Sequence, residues 1–235
     1  MPVPQAPPGT GPVPQAPPGT GPVPQDARLE VAGAVRTAIL QGEYAPGQRL
    51  IEAELCERYG TSRFIVRSAL QELSAQGLVE FQRNRGARVR EVSLGEAIEI
   101  TEVRKLLEGL QAARAAERVT PAEAAALRGI VTGMHDAVSG GELLRYSDLN
   151  ASLHAAIRDI AAHETAARLL RQLRDQTVRH QFSLSLVPGR PTVSLPQHEA
   201  IVAAVTAHDP AAAEQAMHDH LESVIEALRA LAAAR

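Results

Sequence analysis

Residues 49–91, RLIEAELCERYGTSRFIVRSALQELSAQGLVEFQRNRGARVRE, decide how the chain is read. A helix is expected over 52–59, where Leu55 and Tyr59 share a face that Leu50 can join, with Ile51 at its edge. Gly60 can take the left-handed conformation that closes such a helix. Ser62 is then a good N-cap for a second helix over 62–76. Along that helix Ile65, Val66, Ala69, Leu70 and Leu73 form an apolar stripe, and Arg63 and Arg67, four residues apart, project together from its first turns. After Gly77, Leu78–Phe81 and Ala87–Arg90 read as two short strands around a tip of Arg83, Asn84, Arg85 and Gly86.

Helix, turn, helix and hairpin is the order of a winged helix-turn-helix, a module that lays its second helix on double-stranded DNA. Charge agrees locally. Residues 58–90 carry seven Arg against Glu72 and Glu80, a net +5, inside a chain whose net charge is −3. A basic block in an acidic protein suits phosphate. The competing readings are a solvated Arg-rich surface and a winged-helix adaptor that binds protein.

The remainder is poor in aromatic residues, at 3%, without Trp, and rich in Ala, Leu, Val and Ile, which favours helix packing. Capping signals at Ser93, Thr120, Ser194 and Asp209 punctuate a helical pattern. Beyond the turn motif, helices are expected over 28–41, 94–118, 121–139, 142–161, 164–186, 195–207 and 210–232, with Val187–Val193 as a loop because of Pro188, Gly189 and Pro191. The fold class is mainly α: a winged helix-turn-helix over 26–92, then an all-α bundle of about six helices over 93–235.

Residues 2–11, PVPQAPPGTG, repeat identically at 12–21. Such proline density disfavours helix, so residues 1–25 are expected to be a disordered, partly polyproline-II tail, and its lack of charge before Asp26 argues against a signal peptide. No apolar run is long enough for a membrane span. The single cysteine, Cys56, excludes an intramolecular disulfide, reads as a small packing residue, and fits a cytoplasmic location.

Of the eight histidines, three fall on inward helical faces. His154 lies on the stripe of Tyr146, Leu153 and Ile157, with Asn150 one turn before it; His198 heads the stripe of Ile201, Val202 and Val205; His220 joins Met217, Leu221 and Val224. His218, two residues from His220, must face elsewhere, toward Glu214 and Glu222. His135, His163, His180 and His208 read as exposed or at helix ends. Three imidazoles and one amide oxygen suit a first-row divalent ion such as zinc. The alternative is a set of buried, hydrogen-bonded side chains.

The chain resembles the GntR superfamily of bacterial transcription regulators over residues 28–91. The match runs through Tyr44-Ala45-Pro46-Gly47, Leu50, Glu54-Leu55, Ser62-Arg63, Val66-Arg67, Ala69-Leu70, Leu73 and Asn84-Arg85-Gly86-Ala87-Arg88-Val89. The resemblance implies that Arg63, Arg67 and Gly86 approach DNA. The DNA-facing set is accordingly expected to be Ser62, Arg63, Arg67, Arg83, Arg85, Gly86 and Arg88. Phe64-Ile65 stands where the family often has Thr-Pro, and Ala53 where an Arg commonly contacts DNA, so the operator sequence does not carry over. Residues 95–235 resemble the FCD effector domain of the FadR-type branch through Val103-Arg104, Leu107-Glu108, Leu149-Asn150, Leu153-His154, His198-Glu199-Ala200-Ile201, Met217 and His220-Leu221. That resemblance implies a metal, often Zn or Ni, on Asn150, His154, His198 and His220, beside a cavity for a small carboxylate. Leu153 replaces the usual Phe, and Asn150 supplies no negative charge where Asp is common. Arg104 matches a position that can face the cavity; a salt bridge to Glu108 is its other reading.

Together these features predict an effector-controlled repressor without enzymatic activity. It is expected to act as a homodimer on a palindromic operator, because one winged helix offers few base contacts and two-fold pairing doubles them. A zinc hydrolase is the competing reading; Glu199, the acid beside His198, points away from it on a helix.

Overall fold

The computed structural model describes residues 24–185 and 187–233. Among these, nine helices and three short strands follow one another. They are α1 (Pro24–Leu40), β1 (Arg49–Leu50), α2 (Glu52–Tyr59), α3 (Arg63–Ala75), β2 (Val79–Gln82), β3 (Gly86–Val89), α4 (Leu94–Arg118), α5 (Pro121–Ser139), α6 (Leu143–Ala161), α7 (Glu164–Ser185), α8 (Arg190–Thr206) and α9 (Pro210–Ala233). Most of the expected proline-rich tail, residues 1–23, lies outside the described residues.

The helix-turn-helix forms for the local reasons given. Gly60 adopts φ 60° and ψ 36°, closing α2, and Ser62 Oγ accepts from Ile65 N at 3.4 Å at the start of α3, a cap worth about 1 kcal/mol. Val66, Leu70 and Leu73 turn inward against Val31, Val35 and Ile39 of α1. Burying each such Leu is worth about 1.5–3 kcal/mol. The wing pairs Val79 with Val89 and Gln82 with Gly86, and Asn84 (φ 62°) and Gly86 (φ 79°) turn its tip in the left-handed region.

Leu50 departs from its expected helical face. It sits on β1, whose Arg49 pairs with Arg88 and Leu50 with Ala87, giving a three-stranded sheet in the order β1-β3-β2. A two-residue strand has no periodicity to read, and Leu50 reaches the same core from the sheet.

In the second core α4 runs against α9 and α6, α8 against α9 and α5, and α5 against α6. Ala112, Ala115, Leu127, Met134, Leu153, Ile201, Met217 and Leu221 fill it. A Cβ on Gly109 would collide with the His218 imidazole, so glycine at that position leaves room for the ring between α4 and α9. His218 is therefore partly covered by α4, with its Nε2 4.0 Å from Glu214 Oε1, rather than open on an outer face.

Helix α8 starts earlier than expected. Gly189 is its left-handed N-cap and Arg190 its first residue, so the stretch expected to be a loop is largely helix. Pro191 falls in the first turn, where no backbone N–H is required. Ser194 Oγ consequently donates back to Arg190 O at 3.0 Å instead of capping a helix start.

Helix α7 joins the two cores. Its Gln172 and Gln176 amides donate to Ala75 O (3.1 Å) and Gln76 O (2.9 Å), Arg179 donates to Tyr44 O (2.6 Å), and His180 Nε2 to Val92 O (2.7 Å). No described helix is long and apolar enough to cross a membrane.

Candidate functional site

Two sites follow from this architecture. The first is the exposed surface of α3 and the wing. Arg63 at the first turn of α3 is exposed, as are Ser62, Arg83, Arg85 and Gly86, while Arg88 is half-buried and ion-paired with Glu80. Arg67 is exposed but engaged: its Nε and Nη2 donate to the two carboxylate oxygens of Glu52 at 3.0 and 2.9 Å. The hydrogen bond from Arg67 is the main reason that the Glu52 carboxyl lies below its ordinary range. Arg49 was not legible as part of this surface. It lines a shallow groove on the wing together with Arg85, Gly86 and Arg88, because β1 brings it opposite Arg88.

The second site is inside the bundle. His154 from α6, His198 from α8 and His220 from α9 are all buried, and one ring nitrogen from each lies within 4.8 Å of the others. The inward stripes of three helices converge here, which is why spacing alone selected these residues. Asn150, one turn before His154, lines the same cavity of about 200 Å³.

The ring orientations follow from their neighbours. His220 Nδ1 lies 3.1 Å from Gln197 Oε1, an atom that only accepts, so Nδ1 carries the proton and Nε2 the free lone pair. His198 Nδ1 meets Tyr146 Oη at 3.1 Å, and that hydroxyl also meets Ser194 Oγ at 2.8 Å. His154 Nδ1 stands 2.9 Å from Glu108 Oε2, with its N–H off the line of a hydrogen bond. Each Nδ1 thus faces a protein oxygen and each Nε2 is left over. His198 Nε2 and Asn150 Oδ1 are buried without any partner. Buried polar atoms are rarely left so, and a divalent ion taking imidazole and oxygen donors fits them.

Charge is concentrated beneath the cavity. Glu108 accepts from Arg104 Nε at 2.9 Å and from Arg174 Nη2 at 2.5 Å. Burial pushes the Glu108 carboxyl up, but Arg174, Arg104 and His154 together outweigh it and hold it well below the usual range. Burial first, then Arg174, lowers His154; burial, then His154 and Arg190, pushes His198 well down; and burial, then the other two histidines, does the same to His220. Neutral imidazoles are the form that ligates.

Arg104 unites its two readings: two of its nitrogens hold Glu108, and the third, Nη1, is buried without a partner at the cavity. Arg174 and Arg190 also line the cavity and were not picked out from the sequence. Arg174 sits among several arginines of α7 that look alike in one dimension, and Arg190 fell in the stretch read as a loop. Glu199 points away from the histidines and pairs with His135.

Comparisons with known proteins identify both halves of the chain. Residues 27–89 match the family described as bacterial regulatory proteins, gntR family, and residues 99–223 match the FCD domain. The HTH-type transcriptional regulator LutR of Bacillus subtilis is 31% identical over 211 residues, covering 81% of this chain and 95% of LutR. The galactonate operon transcriptional repressor of Escherichia coli is 28% identical over 200 residues, covering 76% of this chain and 86% of that protein. Among solved structures, E. coli McbR/YncC shares the fold, with a TM-score of 0.70 at 22% identity over 87% of this chain and 98% of that one.

Proposed function

This chain is a DNA-binding transcriptional regulator of the gntR family with a C-terminal FCD domain, and from that premise we propose that it is a repressor that leaves its operator when a small organic acid binds beside a divalent metal in the bundle. The observation that carries this reading is the convergence of His154, His198 and His220, each with Nδ1 facing an oxygen, on a cavity that also exposes Asn150 and Arg104. Asn150 and the three histidines would hold the metal. When bound, a zinc or nickel ion supplies a Lewis-acid centre for an effector carboxylate. Arg104 offers its unpartnered Nη1 to the same carboxylate, while Glu108 keeps Arg104 and Arg174 fixed from below. That one relative is named a repressor of a galactonate operon supports both the sign and the acid.

On the DNA side, Arg63 reaches base edges and phosphates from the start of α3, Arg67 joins it by exchanging its Glu52 partner for DNA, and Arg49 of β1 with the wing's Arg83, Arg85 and Arg88 adds phosphate contacts. Two copies are needed for a palindromic site. The effector acts by preferring the arrangement of the two winged helices that does not fit the operator, and α7, bonded to both cores, transmits that preference.

The test is fluorescence anisotropy of the operator duplex with the zinc-loaded full chain, titrated with a panel of small organic acids including galactonate. At least one acid should weaken binding by about tenfold, within the usual range of coupling between sites, and chelation should abolish the effect. If no acid shifts operator affinity in the zinc-loaded protein, the reading is wrong.

A further inference from the structure

Arg190 is the one cavity arginine that forms no ion pair among the described residues. Arg104 and Arg174 share Glu108, whereas Arg190 only donates through Nη1 to Ser223 Oγ at 2.8 Å and Ser223 O at 3.3 Å. Its Nη2 is buried with no partner. Pro191, Ser194 and His198 follow it along the same cavity wall. Arg190 as a whole is half-buried, but a guanidinium nitrogen that is out of water and unpaired is costly until an acceptor meets it.

Charge counting points the same way. Arg104, Arg174 and Arg190 line the cavity, and no Asp or Glu does. Glu108, behind the lining, offsets one of the three. Glu226 is close enough to act on Arg190, but no ion pair joins them among the described residues. An effector with a single carboxylate, held on the metal side near Arg104, would leave Arg190 uncompensated.

We propose that Arg190 forms a second anion subsite, so that the effector is a dianion. One carboxylate sits at the histidine side and a second anionic group, a carboxylate or a phosphate, lies against the Arg190 guanidinium. This rests on the reading of the cavity as an acid-binding site and narrows it to a ligand class. The guanidinium is tied on one side to α9 through Ser223, leaving its other edge as a preset fork for an anion.

The experiment is calorimetric titration of the zinc-loaded full chain with straight-chain dicarboxylates of roughly three to six carbons, with their monocarboxylate counterparts, and with 3-phosphonopropionate. At least one dianion should bind about tenfold or more tighter than its monoanionic counterpart, the order of effect of a charge-assisted pair. The dicarboxylate and phosphonate arms show which second group is preferred. Arg190→Gln should bring the dianion down to the monoanion's affinity, and Arg190→Lys should recover part of the difference. Ser223→Ala removes only the side-chain half of the tether, so it should retain most of the preference, which excludes a purely structural role. Equal affinity for dianions and monoanions in the unaltered chain, or equal loss of both in Arg190→Gln, overturns the second subsite alone. Failure of every acid to bind would overturn the acid-site reading as well.

Discussion

Arg174 and Asp175 are consecutive on α7 and bind in opposite halves of the chain. Arg174 Nη2 donates to Glu108 Oε2 at 2.5 Å beneath the cavity, and Asp175 Oδ2 accepts from Arg36 Nε of α1 at 2.7 Å. One turn of one helix therefore touches both the histidine-lined cavity and the helix that backs the DNA-reading core. A shift of Arg174 as the cavity fills would carry Asp175 with it, because the backbone between them is a rigid helical step.

Asp175→Asn should accordingly uncouple the two sites. Operator binding without acid should persist, while the loss of affinity on adding an effective acid should shrink severalfold, within the range of single-residue effects on coupling. Operator anisotropy with and without the acid measures both. A full response in the variant would remove α7's Arg36 contact from the pathway.

Arg63→Ala should cost about 1–3 kcal/mol of specific operator binding, since it reaches the duplex from the exposed start of α3. Arg85→Ala on the wing should weaken binding more uniformly across sequences and reduce the salt slope by about one. Mobility shifts over a salt series distinguish the two. Unchanged affinity in folded Arg63→Ala would reject the docking of α3.

Glu108→Gln should destabilise the protein by about 3–5 kcal/mol, because Arg104, 4% exposed, and Arg174 would lose their shared carboxylate in a buried setting. Denaturant unfolding reads this directly. A loss below about 1 kcal/mol, the worth of an exposed pair, would mean that water enters and that the network is not truly buried.

Light scattering of the full chain should give twice the 25.0 kDa chain mass at micromolar concentration, as a palindromic site requires. A clean monomer that still binds a palindrome tightly would contradict the dimer.

Much of this was legible in one dimension, and the gaps have physical causes. Gly60, Ser62 and the stripe from Ile65 to Leu73 act through local geometry, so their roles could be read from spacing. The three histidines were found because each shares a stripe with apolar neighbours that must face the core. Arg190 escaped because Pro188, Gly189 and Pro191 look like a loop, although a left-handed glycine cap and a proline in the first turn are compatible with a helix start. Arg174 and Arg49 escaped because nothing local tells a cavity arginine from a solvent-facing one. Only packing of α7 on α4, and of β1 on β3, brings them to their sites.

The central claim is tested most directly by elemental analysis of the full chain after equilibrium dialysis against zinc and removal of unbound metal. The account predicts one zinc per chain, and close to none in folded His154→Ala, which removes one of three imidazoles that lie within 4.8 Å of one another. No retained zinc, or equal zinc in the variant, would contradict it and leave Asn150, His154, His198 and His220 as a buried polar cluster.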